Sequence, residues 1–259
     1  MAELRVERDD RVTRLVIDRE DKRNSLSREV LQGLLDGVRT AATDDEVTAV
    51  VVASAGEKVF SAGADLSVMA ADATGLEQHE GRGLLKEFAV AARLCPKPIV
   101  ARVQGLCLAG GIGLAATCDV VLARETAAFG MPEVERGLWP FMVSALLTRH
   151  VSPKHAMDYM LTGERFDART AYTIGLVSRV FPAETFDADV DAYVAKLAAA
   201  APVAVRLGKA AWVAAAETTS LPAALEAMQA QLSLLTTTKD VAEGIAAFFD
   251  KREPRWTGR

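Results

Sequence analysis

PIVARVQGLCLAGGIGLAATCDVVLARE, residues 98–125, holds the pattern that decides the fold. It opens on an apolar run at 98–105, crosses small residues with no charged side chain between Arg102 and Asp119, and closes on a second apolar run at 118–125. Short unbroken apolar runs rich in Val and Ile predict strands buried on both faces. The Gly- and Ala-rich stretch between them predicts a loop entering a helix. Strand, loop, helix and strand in succession point to an α/β fold with largely parallel strands.

The same step recurs upstream. TAVVVASAG (48–56) is a third buried-strand candidate, followed by the glycine loop VFSAGADLSVM (59–69) and a helical pattern at 78–94. At the start, LRVERDDRVTRLVIDRE alternates around Asp9 and Asp10 as a hairpin does, with Leu4, Val6, Val12, Leu15 and Ile17 expected to face inward. Ser27 is placed to cap a helix carrying Val30, Leu31, Leu34, Leu35 and Val38 at helical spacing. Beyond about residue 140 the pattern predicts two helices, then a helix running into a short strand; residues 186–250 carry no strand signal. Pro202 and Pro222 fall near helix starts and divide that part into about four helices. The expected organisation is a core over 1–190 and a helical region over 191–259, whose generous apolar faces predict contact with a neighbouring subunit.

Composition limits the function. Half of the 259 residues are apolar, enough for a substantial core. A net charge of −5 opposes general binding to nucleic acid or an anionic membrane, both of which need a basic surface. Cys95, Cys107 and Cys118 lack CxxC spacing and sit among apolar neighbours, so buried free thiols, no metal site and a reducing, cytoplasmic setting are expected. MAELRVERDDRVTRL has no apolar signal-peptide core, and the uncharged run between Arg102 and Asp119 is shorter than the roughly 20 residues of a spanning helix.

GIGLAA (111–116) matches G-x-G-x-x-A, with Glu133 downstream in the place of an acidic partner. Against a dinucleotide site stands the interval Gln104–Ala109 between the predicted strand and the glycines, and no Gly-Lys-Ser/Thr follows to make a P-loop. Two glycine loops at strand-to-helix junctions have another use. Their free backbone N–H groups, backed by a helix dipole, stabilise negative charge developing on an oxygen, and small residues let the ligand approach. Tight packing of turns on a sheet is the alternative for either loop alone.

FSAGADL, QGLCLAGGIGLAATCD, AAFGMPEVERGLWP, LTGERFDARTAYTIGLVSRVF and EGIAAFFDKREPRW, in this order and spacing, resemble the crotonase superfamily, the enoyl-CoA hydratase/isomerase group. The resemblance implies a spiral of strand-strand-helix repeats with a helical C-terminal subdomain, assembled as a homotrimer or a hexamer of two trimers. It implies an acyl-CoA substrate, with coenzyme A part of that substrate and no separate cofactor. The oxyanion hole then falls on the N–H groups of Ala64 and Gly110, with Ala62, Asp65 and Leu66 in the same substrate-binding loop. Asp65 is expected to cap a following helix rather than react.

Hydratases of this family use two glutamates. The second falls on Glu133 and the first on Gly113, which has no side chain. Adding water across a double bond divides naturally between two carboxylates, whereas shifting the bond needs one base that removes and returns a proton. Glu133 alone therefore fits isomerase-like members, although one carboxylate with a placed water also permits hydration. Trp139, with Phe141, falls where the family shapes its acyl pocket; Lys22 and Arg23 fall near the CoA phosphates; Phe248 and Lys251 fall where the last helix reaches the nucleotide. For these, core packing and solvated charge are the alternatives. Glu135 and the scattered His79, His150 and His155 read as surface residues. Two other functions remain to be tested: a homologue that binds acyl-CoA with little turnover, and one that binds RNA.

Overall fold

Through the middle of the chain, from residue 49 to residue 130, successive strands alternate between two sheets. The computed structural model describes residues 2–65 and 75–259, excluding the side chains of 76–78 and 80–82. The large sheet contains β1 (Leu4–Asp9), β2 (Val12–Ile17), β3 (Ala49–Ser54), β5 (Ile99–Val103), β7 (Val120–Arg124) and β10 (Arg179–Phe181), in that spatial order. All its pairings are parallel except the β1–β2 hairpin. Four three-residue strands make the small sheet: β4 (Val59–Ser61), β6 (Leu106–Leu108), β8 (Ala128–Gly130) and β9 (Arg165–Asp167), with only β9 antiparallel to its neighbour. With α1 (Arg28–Thr43), α2 (Gly75–Leu94) and α3 (Gly110–Thr117), the chain winds as β3–β4–α2 and then β5–β6–α3, the expected strand-strand-helix spiral.

Every residue of β3 is buried, as its unbroken apolar run requires for a strand between β2 and β5. Ser27 Oγ accepts the Val30 N–H at 3.1 Å and caps α1, a bond contributing about 1 kcal/mol. The five apolar positions expected on that helix are all buried against the large sheet's first face. The opposite face is covered by α7 (Phe186–Ala198), through Phe186, Val190 and Val194 on Val12, Val51, Val100 and Leu122. The expected boundary at residue 190 falls inside this helix, which packs on the sheet from both sides of it.

Two expectations are corrected. Val6 is 64 % exposed: β1 is an edge strand, and beyond the contact of Leu4 with α1 at Gly33 the two elements part into an open groove of about 490 Å³. Residues 104–109 are not an irregular interval, because Leu106–Leu108 pairs as β6 and the glycines follow a strand directly. The next strand, β7, nevertheless pairs with β5 in the other sheet, so the segment is not the βαβ unit of a dinucleotide fold. Sequence periodicity missed the small sheet, because three residues are too few to display a period of two.

The helical expectations hold. α4 (Phe141–Leu147), α5 (Pro153–Thr162) and α6 (Ala168–Thr173) precede β10, and α8 (Pro202–Ala216), α9 (Leu221–Leu235) and α10 (Lys239–Asp250) follow α7. Pro202 and Pro222 lie in first turns, where their missing N–H costs no helical bond. Lys209 pins α8 to the core, its Nζ reaching the carbonyls of Ala92 and Lys97 and Asp119 Oδ2 at 2.6 Å. By contrast α9 buries no residue, leaving Leu221, Leu225, Leu232 and Leu234 exposed. All three cysteines are buried free thiols, and burial pushes those of Cys107 and Cys118 far up. Among the described residues no single helix is long and apolar enough to cross a membrane.

Candidate active site

The small sheet assembles the site. Because β4, β6 and β8 are parallel neighbours, the segments leaving their C-terminal ends emerge along one edge: Ala62–Asp65, Ala109–Gly110 and Met131–Glu133. Ser61, Leu108 and Gly130 are the last strand residues in each case.

Two backbone donors without acceptors lie near each other at the first pair. The 62–65 segment runs beside residues 23–26 in a parallel bridge, with Leu26 N–H donating to Gly63 O at 2.8 Å and Asp65 N–H to Leu26 O at 3.2 Å. In that pattern the N–H of Ala64 points to the opposite side, and no acceptor meets it among the described residues. Gly110 is the first residue of α3, so its N–H has no intrahelical acceptor either. A methyl added to Gly110 would lie 3.4 Å from Ala64 N, and one added to Gly63 would lie 3.0 Å from Gly110 N. The backbone nitrogens of Ala64 and Gly110 therefore lie close together at this edge. Ala109 enters it at φ 50°, a strained conformation for a residue with a Cβ, held by its N–H bond to Gly130 O at 2.9 Å.

Glu133 lies in the short 3-10 turn Pro132–Arg136 that follows β8. Its Oε2 is buried without a hydrogen-bond partner among the described residues. Burial pushes its carboxyl above the ordinary value, against the opposing pull of its own N–H and of Arg136. A proton is thus easier to hold here than on an exposed glutamate, as a group that must both take and return one requires. Gly113 lies one turn into α3 and is buried; a Cβ there would meet Val143 Cγ2 at 3.2 Å, Leu146 Cδ1 at 3.7 Å and Leu85 Cδ2 at 3.8 Å. The position where the family resemblance calls for a first glutamate is lined by apolar side chains of α2 and α4, of which only Val143 would have to give way slightly to a Cβ.

The remaining candidates spread more widely. Lys22 and Arg23 are exposed on the turn that leads into the bridge, and Arg23 O accepts the Ala62 N–H at 3.0 Å. Asp65 is held by an ion pair with Arg19 at 2.9 Å; the helix it was expected to cap, and Leu66, lie outside the described residues. Trp139 is half-buried against the main core, while Phe141 is 76 % exposed. Phe248 is exposed on α10 and Lys251 ends that helix in a left-handed conformation; the hydrogen bonds of this region run to residues 252–259 rather than to the small-sheet edge. Glu135 is exposed beside Arg136. Among the described residues no cluster of His, Cys, Asp or Glu is arranged to hold a metal. Sequence reasoning passed over Arg19, Asn24 and Ala109. The triplets VFS, LCL and AFG, each a few residues after a buried strand, were the available signal for the second sheet.

Comparison with known proteins follows the same outline. Residues 7–259 match the family model for enoyl-CoA hydratase/isomerase. The chain is 35 % identical to a 2,3-dehydroadipyl-CoA hydratase of Escherichia coli over the whole of both chains. It is 36 % identical to a probable enoyl-CoA hydratase of Mycobacterium bovis, over 98 % of this chain and 97 % of the relative. A crystal structure of an enoyl-CoA hydratase from Mycobacterium smegmatis superposes with a TM-score of 0.93 at 32 % identity, covering 98 % of each chain.

Proposed function

Because the chain belongs to the enoyl-CoA hydratase/isomerase family, we propose that it binds an acyl-CoA thioester with the carbonyl oxygen between the N–H groups of Ala64 and Gly110, and that Glu133 is its acid and base. The observation that carries this reading is the pair of unaccepted N–H groups at the same sheet edge as a half-buried, partly unpartnered glutamate. The ionised Glu133 removes a proton from the carbon beside the thioester carbonyl, and the electron pair moves onto the carbonyl oxygen. Each N–H stabilises that oxyanion by roughly 3 kcal/mol. The protonated Glu133 then returns the proton to the far carbon of the unsaturated system, which shifts the double bond. With Gly113 in place of a second carboxylate, this one-base shuttle is the reaction the residues support best.

Hydration is the second reading, favoured by the names of the relatives, which are hydratases. It requires Glu133 to activate a water and then deliver the proton. Lys22, Arg23 and Lys251 supply charge for CoA phosphates, Phe248 a stacking face, and Trp139 a wall of the acyl pocket. Trimers, singly or paired, cover the bare leucines of α9, and the buried thiols suit a cytoplasmic enzyme.

A panel of enoyl-CoA esters, with products weighed by mass spectrometry in light and heavy water, tests both readings. A shifted bond with solvent deuterium and no mass gain of water supports the one-base shuttle, and addition of water supports hydration. Saturable binding without either product identifies a non-catalytic acyl-CoA binder. RNA binding at moderate salt, with no response to CoA esters, refutes the proposal.

A further inference from the structure

Arg19 stands behind the bridge that aims the Ala64 N–H, and its side chain is only 11 % exposed. Its Nη1 contacts Asp65 Oδ2 at 2.9 Å, Ser25 O at 3.0 Å and Ser25 Oγ at 2.9 Å, while its Nε contacts Glu3 Oε1 at 2.9 Å. Its backbone N–H donates to Asn24 Oδ1 at 3.1 Å, and its carbonyl accepts from Asn24 N–H at 2.8 Å. The guanidinium therefore grips both ribbons of the bridge, residues 24–26 through Ser25 and residues 63–65 through Asp65. Ala64 lies between the residue held by the Leu26 N–H and the residue held by Arg19.

We propose that Arg19 is a positioning residue for the oxyanion hole, acting through Asp65 and Ser25 to fix the direction of the Ala64 N–H; this rests on the acyl-CoA reading above. The side chains of Arg19 and Asp65 are 11 % and 14 % exposed, so the pair is not a screened surface contact. A planar guanidinium holds a carboxylate and a carbonyl at fixed angles, which a lysine ammonium does not. Hydrogen bonds to a developing oxyanion depend steeply on placement, so a tilt of one ribbon weakens the transition state more than ground-state binding.

The test compares wild type with Arg19→Lys, Arg19→Met, Asp65→Asn and the double variant Arg19→Met/Asp65→Asn. The measurements are kcat and KM on an enoyl-CoA, the melting temperature, and the infrared carbonyl stretch of bound butyryl-CoA labelled with carbon-13 at the thioester. The expected result is a loss in kcat of about 10- to 100-fold for each single variant. KM should stay within about threefold, since the binding groups remain. The carbonyl red shift should shrink in step with kcat, and the double variant should be no worse than the poorer of the Arg19→Met and Asp65→Asn singles, as partners in one interaction require. Full red shift and kcat in any folded single variant, whatever its melting temperature, overturns the role of Arg19, as does strict additivity in the double. If wild type itself leaves the bound carbonyl unshifted, the oxyanion reading fails and the positioning role with it. A shifted carbonyl in wild type that the variants preserve removes only Arg19.

Discussion

Gly110→Pro deletes one proposed donor with little damage to the ladder around it. Gly110 is the first residue of α3, where its N–H makes no helical bond and the proline ring is tolerated. The structural cost falls on the preceding residue. Ala109 sits at φ 50°, ψ −123°, and a following proline restricts its neighbour to extended conformations, so strain of about 1–3 kcal/mol is expected. Loss of one oxyanion donor costs about 100- to 1,000-fold in kcat, or about 2.7–4 kcal/mol. The two magnitudes overlap, so a second variant must separate them. Ala109→Gly/Gly110→Pro relieves the positive φ while still lacking the N–H. Circular dichroism melting should show the double variant recovering part of the stability lost by the single. In steady-state assays kcat should stay low in both. Recovery of kcat together with stability in the double variant would assign the loss to strain, and wild-type kcat in folded Gly110→Pro would refute the placement of the hole.

Glu133→Gln should abolish proton exchange at the substrate carbon, read by solvent-deuterium incorporation, while acyl-CoA affinity, read by equilibrium binding, holds. In wild type the base form of Glu133 accumulates above a pKa raised from 4.5, so the rate should rise with pH along an acid limb displaced to higher pH, which the Gln variant lacks. A raised native carboxyl pKa means that stability is lost as pH rises through it. Glu133→Gln should therefore melt higher than wild type near neutrality and alike at low pH, a difference calorimetry detects. Gly113→Glu places its Cβ 3.2 Å from Val143 Cγ2, so overpacking of about 1–3 kcal/mol should lower the melting temperature by several degrees. Combined with Val143→Ala, which opens that wall, it should raise the ratio of hydrated to isomerised product on one enoyl-CoA; an unchanged ratio would separate Gly113 from reaction choice. Leu225→Glu/Leu232→Glu on bare α9 should dissociate an assembly seen by sedimentation, and a stable, active wild-type monomer at micromolar concentration would refute the assembly itself.

Elements whose signal is local and repeated are legible along the chain. β3 is an unbroken apolar run, β5 and β7 are apolar but for one arginine each, α1 announces itself by a cap and an apolar stripe, and the prolines mark the first turns of α8 and α9. Ordered motifs also named Ala64, Gly110 and Glu133 as candidates, and Gly113 as the departure from the two-glutamate pattern. Only the tertiary structure decided that these segments meet. They leave three parallel strands of three residues each, too short to carry a period, and they become neighbours because β4, β6 and β8 pair across long stretches of chain. The same holds for Arg19 and Asp65, whose ion pair spans 46 residues, and for the left-handed turn at Ala109. A backbone N–H is present at every residue but proline; whether it is free, and which way it points, depends on what the fold brings beside it.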